Sequence, residues 1–466
     1  MLSNIDLSTK TILVLGYAMT GKSVAEFLLK QQANIIINDR GDLSKDPSVA
    51  LLIDKGVRVV DGGHPLHLFD EPIDMIVKNP GIPYSIPFLQ RAQELEIPIY
   101  TDVEIASMFC EAPIIGITGS NGKTTTTSLI QQILSHREKG QSRLAGNIGV
   151  PTLEVVSEAT KEDDVVMELS SFQLAGTQRF HPRIAVIVNI FEAHLDYHET
   201  RENYVESKLK ILANQNSEDF VVYRYDQGEL HDWVREYRGE LVPFSVEYDN
   251  EFVKENGAYI DNQMIMFKGE SILPLTSIQI PGEHNIENVL AAVAVAKLKG
   301  ISNSQIEETV SNYQGMRHRI QPVLQTDGRK FFNDSKATNT VATITALKSF
   351  NQPIRYIGGG LDRGNEFDDL LKYINNVSAA YLYGETKQKM ANVFEKTGTP
   401  KILQFDNLIQ ASTQAYRDAL QGEVVLFSPA CASWDQFKNF EIRGDVFVET
   451  IEHLVENEPY NREKKD

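Results

Sequence analysis

The stretch Gly116-Ile117-Thr118-Gly119-Ser120-Asn121-Gly122-Lys123-Thr124 carries the clearest chemistry in this chain. It follows the apolar run Pro113-Ile114-Ile115 and leads into a helical pattern over residues 125–139, Thr125 first. Glycines let backbone N–H groups close around a polyphosphate, and a helix N-terminus favours the anion. A lysine then reaches the terminal phosphates and a threonine hydroxyl can hold Mg²⁺, the places taken here by Lys123 and Thr124. The spacing departs from the usual one, because Ile117 stands where the first glycine is expected and glycines stand at 116 and 119 instead. The alternative is a glycine-rich strand-to-helix turn that binds nothing, but strand, loop, Lys-Thr pair and helix all agree with the phosphate cradle.

Two further places offer charge. Val165-Val166-Met167 ends in Glu168, and the apolar run from Ile184 to Ile190 ends near Glu192, His194 and Asp196. Open α/β sheets gather ligands at the C-terminal ends of their strands, where the phosphate loop also lies. Histidine is an unusual ligand for a hard cation, so chemistry alone ranks His194 below Glu168. In the third place, Tyr204, Val205, Leu209 and Leu212 form one helical stripe, and Lys208 falls inside it while Lys210 falls off it. An inward lysine is partly desolvated, which lowers its pKa and leaves a neutral amine able to take up carbon dioxide as a metal-binding carbamate. The alternative is a Lys208 that snorkels its ammonium to water.

These residues need elements to hold them. At 466 residues the chain is too long for one core and fits about three domains of ~150 residues. All three read as α/β: a Rossmann-like segment 1–106, a central P-loop ATPase-like segment 107–316, and a Rossmann-like segment 317–466. The first opens with strand Thr11–Leu15, the turn Gly16 to Gly21, a helix through Val24, Phe27 and Leu28, and a strand Asn34–Asn38 ending at Asp39-Arg40. An acidic residue at that distance suits a ribose hydroxyl, although Ala18 replaces the middle glycine and leaves a purely structural unit equally open. The second segment includes short alternating runs between Asp219 and Ile280 that predict an antiparallel insert, then a helix from His284 to Lys299. In the third, strands at 330–332, 354–357, 379–383, 401–404 and 424–427 alternate with helices and run into polar loops.

Composition narrows the function. The net charge of −19 and the lack of any Lys/Arg run disfavour nonspecific nucleic-acid binding, and no nucleic-acid partner is expected. The two cysteines, Cys110 and Cys431, provide neither a disulfide framework nor a cysteine metal site and suit a reducing compartment. No apolar run is long enough to span a membrane and the first residues lack a basic region, so a cytoplasmic protein, neither exported nor membrane-bound, is expected.

Taken together, Gly119–Thr124, Glu168-Leu169-Ser170-Ser171-Phe172-Gln173, His194, Lys208, His284-Asn285, His318-Arg319 and Asn333-Asp334-Ser335-Lys336-Ala337-Thr338-Asn339 resemble the Mur ligase family of peptidoglycan synthesis over essentially the whole chain. The Asp-Ser-Lys-Ala-Thr-Asn string and Ser428 to Phe440 resemble its D-glutamate-adding branch. The resemblance implies that ATP phosphorylates the carboxylate of UDP-N-acetylmuramoyl-L-alanine, that the amine of D-glutamate attacks the acyl phosphate, and that phosphate leaves. It implies a pair of Mg²⁺ ions and a carbamate on Lys208, with Thr124, Glu168, His194 and Lys208 as the metal set and Lys123, Lys208, His194 and Lys336 as the catalytic set. A monomer is expected.

For ATP, the resemblance assigns Gly119, Ser120, Asn121, Gly122, Lys123, Thr124 and Thr125 to the phosphates, Asn285 and Asn288 to adenine, Arg319 to the phosphates and Asp334 to the ribose. For the nucleotide sugar it assigns Tyr17, Ala18, Met19, Thr20, Asp39 and Arg40 to the uridine diphosphate, and Asn147, Ser170 and Gln173 to the muramoyl-alanine arm. It assigns Thr338, Arg363, Ser433 and the backbone near Phe440 to D-glutamate, whose two carboxylates call for donors and a cation. The competing readings are another Mur-type or folylpolyglutamate-type amide ligase, a nucleotide-switch protein without turnover, and an NAD-dependent dehydrogenase. The strings of the third segment argue against the first, and the carboxylate, histidine and stripe-embedded lysine against the second. The last leaves two segments without a purpose.

Overall fold

The computed structural model describes residues 6–148, 151–247 and 250–457; the side chain of Asp196, expected beside His194, lies outside that description. The chain divides into two compact units, Met1–Ser277 with Ile286–Ser311, and Ile278–Asn285 with Asn312–Asp466. Three sheets organise them, each α/β with mostly parallel strands.

The first unit holds two sheets. In the five-stranded one, Thr11–Leu15 lies between Asn34–Asn38 and Met75–Lys78, with Arg58–Val60 and Ile99–Tyr100 at the edges and every pair parallel. Ile12, Leu13, Val14 and Leu15 are all buried, as a strand covered by helices on both faces requires. In the nine-stranded sheet, Ile114–Thr118 is flanked by Asp164–Glu168 and Ile184–Ile187. The phosphate loop and Glu168 therefore leave the same sheet edge on adjacent strands, as the sequence predicts.

The antiparallel part is narrower than the alternating runs imply. Phe220–Arg224 and Glu240–Phe244 extend the sheet in parallel, Phe244 pairs in parallel with Ala258, and among the described residues of this run only Ala258–Asp261, Met264–Phe267 and Glu270–Pro274 pair antiparallel with one another. The short helices Gly228–Val234 and Glu251–Asn256 separate those strands, supplying the crossovers that parallel pairing demands.

The second unit carries a six-stranded sheet in the order Gln321–Thr326, Arg329–Asn333, Val424–Phe427, Ile354–Gly359, Val377–Tyr383, Ile402–Gln404. Its first pair is antiparallel, a hairpin absent from the expected strand list. Asp327 and Gly328 turn it with φ of 52° and 73°, the two positive values of a type I′ turn that Asp-Gly favours. The polar loops after Asn333, Gly359 and Phe427 leave neighbouring strands of this sheet at the same edge.

Candidate active site

Strand Ile114–Thr118 gives way to a loop of Gly119, Ser120, Asn121 and Gly122 before helix Lys123–Leu134 begins. Ile117 is wholly buried in the strand, which explains the unusual spacing: the loop proper starts two residues later. Gly122 has φ of 80°, and a Cβ there would stand 2.3 Å from Asn288 Oδ1, so only glycine fits. Asn288 is itself buried and accepts from Thr126 Oγ1 at 3.2 Å. The Lys123 ammonium folds back over the loop, donating to the carbonyls of Gly119 at 2.8 Å and Ser120 at 3.0 Å. Thr124 is buried and Thr125 half-buried in the first turn of the helix.

A residue that sequence reasoning passed over holds the loop. Asn189 Oδ1 accepts the backbone N–H groups of Ser120 at 3.1 Å and Asn121 at 2.9 Å, while its amide donates to Asn121 O at 3.3 Å. The one available signal was a buried amide inside the apolar run 184–190. Tyr204, read as stripe, also meets the loop, its hydroxyl 2.8 Å from Ser120 Oγ.

Lys208 faces inward. It is 1% exposed on helix Arg201–Leu209, beside buried Tyr204, Val205 and Leu209. Its amine donates to Gly119 O at 2.8 Å and lies 4.8 Å from the centre of the Tyr204 ring. Burial, with the Lys123 charge as a second cause, pulls its pKa well below the ordinary lysine value, and Glu168 opposes them. The snorkelling alternative is not what the fold adopts. Glu168, 2% exposed, accepts from Asn147 Nδ2 at 3.0 Å through Oε1, while the buried Oε2 has no hydrogen-bond partner. A buried, unpartnered carboxylate oxygen beside a phosphate loop fits a cation. Among the described residues no three of His, Cys, Asp and Glu converge.

His194 is exposed, with left-handed φ of 56°, and starts the one-turn helix Leu195–His198. Its ring meets Phe172 edge-on at 5.0 Å. Phe172 lines a cavity of about 390 Å³ together with Met19, Thr20, Asn147, Ser170 and Gln173, so expected substrate residues from both sheets share one wall. Ser170 caps helix Ser171–Ala175 in a capping box with Gln173. Tyr17, Ala18, Asp39 and Arg40 are not in that wall. Asp39 instead accepts from Tyr17 N at 2.6 Å and Gly41 N at 2.7 Å, fixing its own turn. Ala18 and Arg40 are exposed.

In the second unit Asp334 is buried, accepting from Ser428 Oγ at 2.7 Å and Ile320 N at 3.1 Å. Burial raises its pKa to about 7, against the hydrogen bond from Ser428. Arg319 is half-buried, and Asn285 is buried with its amide donating to Pro281 O at 2.6 Å. Lys336 lies 5.8 Å from the Phe440 ring centre, and Ser335 Oγ donates to Phe440 O at 2.8 Å, joining the two matched strings. Ser433 is buried and Thr338 half-buried. The exposed Arg363 stacks over Trp434 at 4.6 Å. Arg443, another residue passed over, is fully buried and donates to Ser335 Oγ, Ser335 O and Cys431 O at 3.0, 2.7 and 2.9 Å.

Comparison with known proteins matches three family models along the chain. Residues 10–101 match the Mur ligase MurD-like N-terminal domain, 117–296 the Mur ligase middle domain, and 318–431 the Mur ligase glutamate ligase domain. Proteins named UDP-N-acetylmuramoylalanine–D-glutamate ligase are 45% identical in Listeria innocua, 47% in Enterococcus faecalis and 46% in Bacillus cereus. These alignments cover 96–97% of this chain and 97–99% of theirs. Among solved structures, the UDP-N-acetylmuramate–alanine ligase of Thermotoga maritima matches at a TM-score of 0.58 and 17% identity, over 96% of this chain and all of that one. The MurF ligase of the same organism matches at 0.55 and 16%, over 97% and 99%; these two show the fold. The chain belongs to the Mur ligase family, in the branch whose members are named UDP-N-acetylmuramoylalanine–D-glutamate ligase.

Proposed function

We propose that the chain catalyses the ATP-dependent ligation of D-glutamate to UDP-N-acetylmuramoyl-L-alanine, releasing ADP and phosphate, as a step of peptidoglycan precursor synthesis. The observation that carries the reading is identity of 45–47% with proteins of that name over 96–97% of the chain. A carboxylate is a poor electrophile until one of its oxygens becomes part of a phosphate leaving group. Its oxygen attacks the γ-phosphorus, ADP leaves, and the amine of D-glutamate then adds to the acyl carbon. The tetrahedral adduct expels phosphate and loses a proton to leave the amide.

Each step builds negative charge, and the site answers with cations and donors. Lys123 and the N–H groups of the loop and first helical turn that are not taken up by Asn189 hold the ATP phosphates, on a loop that Asn189 braces through Ser120 and Asn121. The unpartnered Glu168 Oε2 supports a Mg²⁺ ion there, with Thr124; bound Mg²⁺ supplies neutralisation of phosphate oxygens. The desolvated amine of Lys208 supports carbamylation, which adds carboxylate oxygens to this set, and His194 serves the second ion. Met19, Thr20, Asn147, Ser170 and Gln173 receive the nucleotide sugar, supported by their shared cavity. Tyr17, Ala18, Asp39 and Arg40 are assigned to its uridine end. Asn285, Asn288, Arg319, Asp334 and Lys336 serve the nucleotide and the phosphoryl group, and Thr338, Arg363, Ser433 and Phe440 the incoming amino acid.

The cytoplasm is the proposed compartment, supported by two cysteines that are both free thiols. No helix among the described residues is long and apolar enough to cross a membrane. A monomer is proposed. Phosphate release with ATP, Mg²⁺ and UDP-N-acetylmuramoyl-L-alanine, compared across D-Glu, L-Glu and other amino acids, tests the reading. A new amide formed with D-Glu alone supports it; turnover with a different amino acid, or none, overturns it.

A further inference from the structure

Lys78 ends the strand Met75–Lys78 and is 1% exposed, yet none of its hydrogen-bond partners is a carboxylate. Its amine donates to the carbonyls of Asn79, Pro80 and Ile82 at 3.3, 3.0 and 2.8 Å and to the Tyr197 hydroxyl at 3.0 Å. It lies over the rings of Tyr84 at 4.8 Å and Tyr197 at 5.6 Å. Burial pulls its pKa down to about 7, with the charge of Asp102 opposing. A buried lysine whose direct hydrogen-bond partners are all neutral is a costly way to fill space, and an apolar side chain of the same length would cost less.

What the amine joins gives it a purpose. On one side, Asn79, Pro80 and Gly81 line the cavity that also holds Thr20, Ser170 and Gln173. On the other, Tyr197 belongs to the one-turn helix that His194 starts. Tyr197 packs edge-on against Phe172 at 4.5 Å, and Phe172 meets His194 at 5.0 Å and stacks on His198 at 5.4 Å. The Tyr197 hydroxyl also donates to Pro80 O at 3.1 Å. One amine and one phenol therefore tie the loop at the cavity wall to the turn that aims His194.

We propose that Lys78 and Tyr197 form a latch that positions the loop Asn79–Gly81 and His194 as one body, so that seating the muramoyl-alanine arm and aiming His194 are a single event. Both are positioning residues, and the inference rests on the proposed reading that this cavity receives the nucleotide sugar.

The test is steady-state phosphate release by full-length Lys78→Met, Tyr197→Phe and double variants. Lys78→Met is expected to raise KM for UDP-N-acetylmuramoyl-L-alanine about tenfold and to lower kcat, with KM for D-Glu within about twofold of the parent. Tyr197→Phe moves the same two parameters less, and the double variant is no worse than Lys78→Met alone, as members of one unit require. Unchanged kinetics, additive effects, or an equal rise in the KM of both substrates would overturn the latch. Should Lys78→Met fail to fold, Tyr197→Phe, which deletes one oxygen, decides by the same KM split. A parent protein that does not turn over UDP-N-acetylmuramoyl-L-alanine with D-Glu refutes the functional reading instead, before any variant is compared.

Discussion

Asn189 braces the phosphate loop from below: its Oδ1 receives the N–H groups of Ser120 and Asn121 together, at 3.1 and 2.9 Å. The loop's conformation is thus set by a side chain from the next strand's end, not by its glycines alone. Asn189→Ala leaves the Asn121 N–H and carbonyl without that partner, while the Ser120 N–H keeps its 2.9 Å bond to the backbone carbonyl of residue 189, a loss of about 1–3 kcal/mol in loop order. The expected outcome is a rise of about tenfold or more in KM for ATP, read by phosphate release. Asn189→Asp keeps the acceptor but brings negative charge to a polyphosphate site, so it should be worse than alanine. An aspartate variant with the parent's ATP dependence would show that Asn189 stands outside the nucleotide's field.

For Lys208, stability and activity should part. Its folded pKa lies well below 10.5 because of burial, so between those values the unfolded chain binds the extra proton and stability rises with pH. Lys208→Met removes that penalty. It should be no less stable than the parent at pH 7, with its relative advantage narrowing as pH approaches 10.5, measured as Tm across the range. Activity should be lost, and Lys208→Ala should partly recover when a short carboxylic acid fills the space left. A fully active methionine variant would remove Lys208 from the chemistry.

How far the sequence could be read follows from what each signal depends on. The placement of Lys208 in the stripe of Tyr204, Val205 and Leu209 is legible because helical period is local, but whether its ammonium snorkels to water or stays inside depends on the loop it meets, which period does not give. Arg443 obeys the same rule on helix Phe440–Asn457, three residues after Phe440 and four before buried Phe447, yet its partners Ser335 and Cys431 are distant in sequence, so nothing local tells what it clamps. Asn189 and Lys78 are harder still. Each sits at or just beyond a strand end, where the neighbour is chosen by strand order, and strand order is not local. Over 219–280, alternation reports one covered face but not the direction of the partner strand, so the parallel pairs of Phe220–Arg224 and Glu240–Phe244 are not legible in it. The strand-end placement of Glu168 and the loop before Lys123 needed only a strand and its successor, and both stand where the pattern put them.

Asp334 gives a pH test in the second unit. Burial raises its pKa from 3.8 to about 7. Between these values the unfolded chain has released a proton that the folded chain retains, so this group's contribution to stability falls as pH rises across the window and is level above it. Asp334→Asn keeps an acceptor for Ile320 N and cannot ionise. The difference in Tm between variant and parent should therefore shift in the variant's favour from pH 5 to pH 8. A difference that is flat with pH would mean that Asp334 titrates alike in both states.

Arg363 and Trp434 test the amino-acid pocket. The guanidinium lies 4.6 Å from the indole centre although both side chains are exposed, and a cation held flat on a ring is pre-aimed for a carboxylate. Arg363→Ala should raise KM for D-Glu by about 10–100-fold while KM for ATP holds. Arg363→Lys should fall between, since it keeps the charge but loses the planar fork. Trp434→Ala removes only the support, about 0.5–1 kcal/mol, so its effect should be a few-fold, and Trp434→Phe smaller again. The only other tryptophan is Trp233, so in a Trp233→Phe background the emission of Trp434 should change on D-Glu addition and not with L-Glu. If Arg363→Ala leaves KM for D-Glu where it was and Trp434 emission ignores the amino acid, the carboxylates are held elsewhere, and Ser433, buried one residue before the indole, would have to act without this cation.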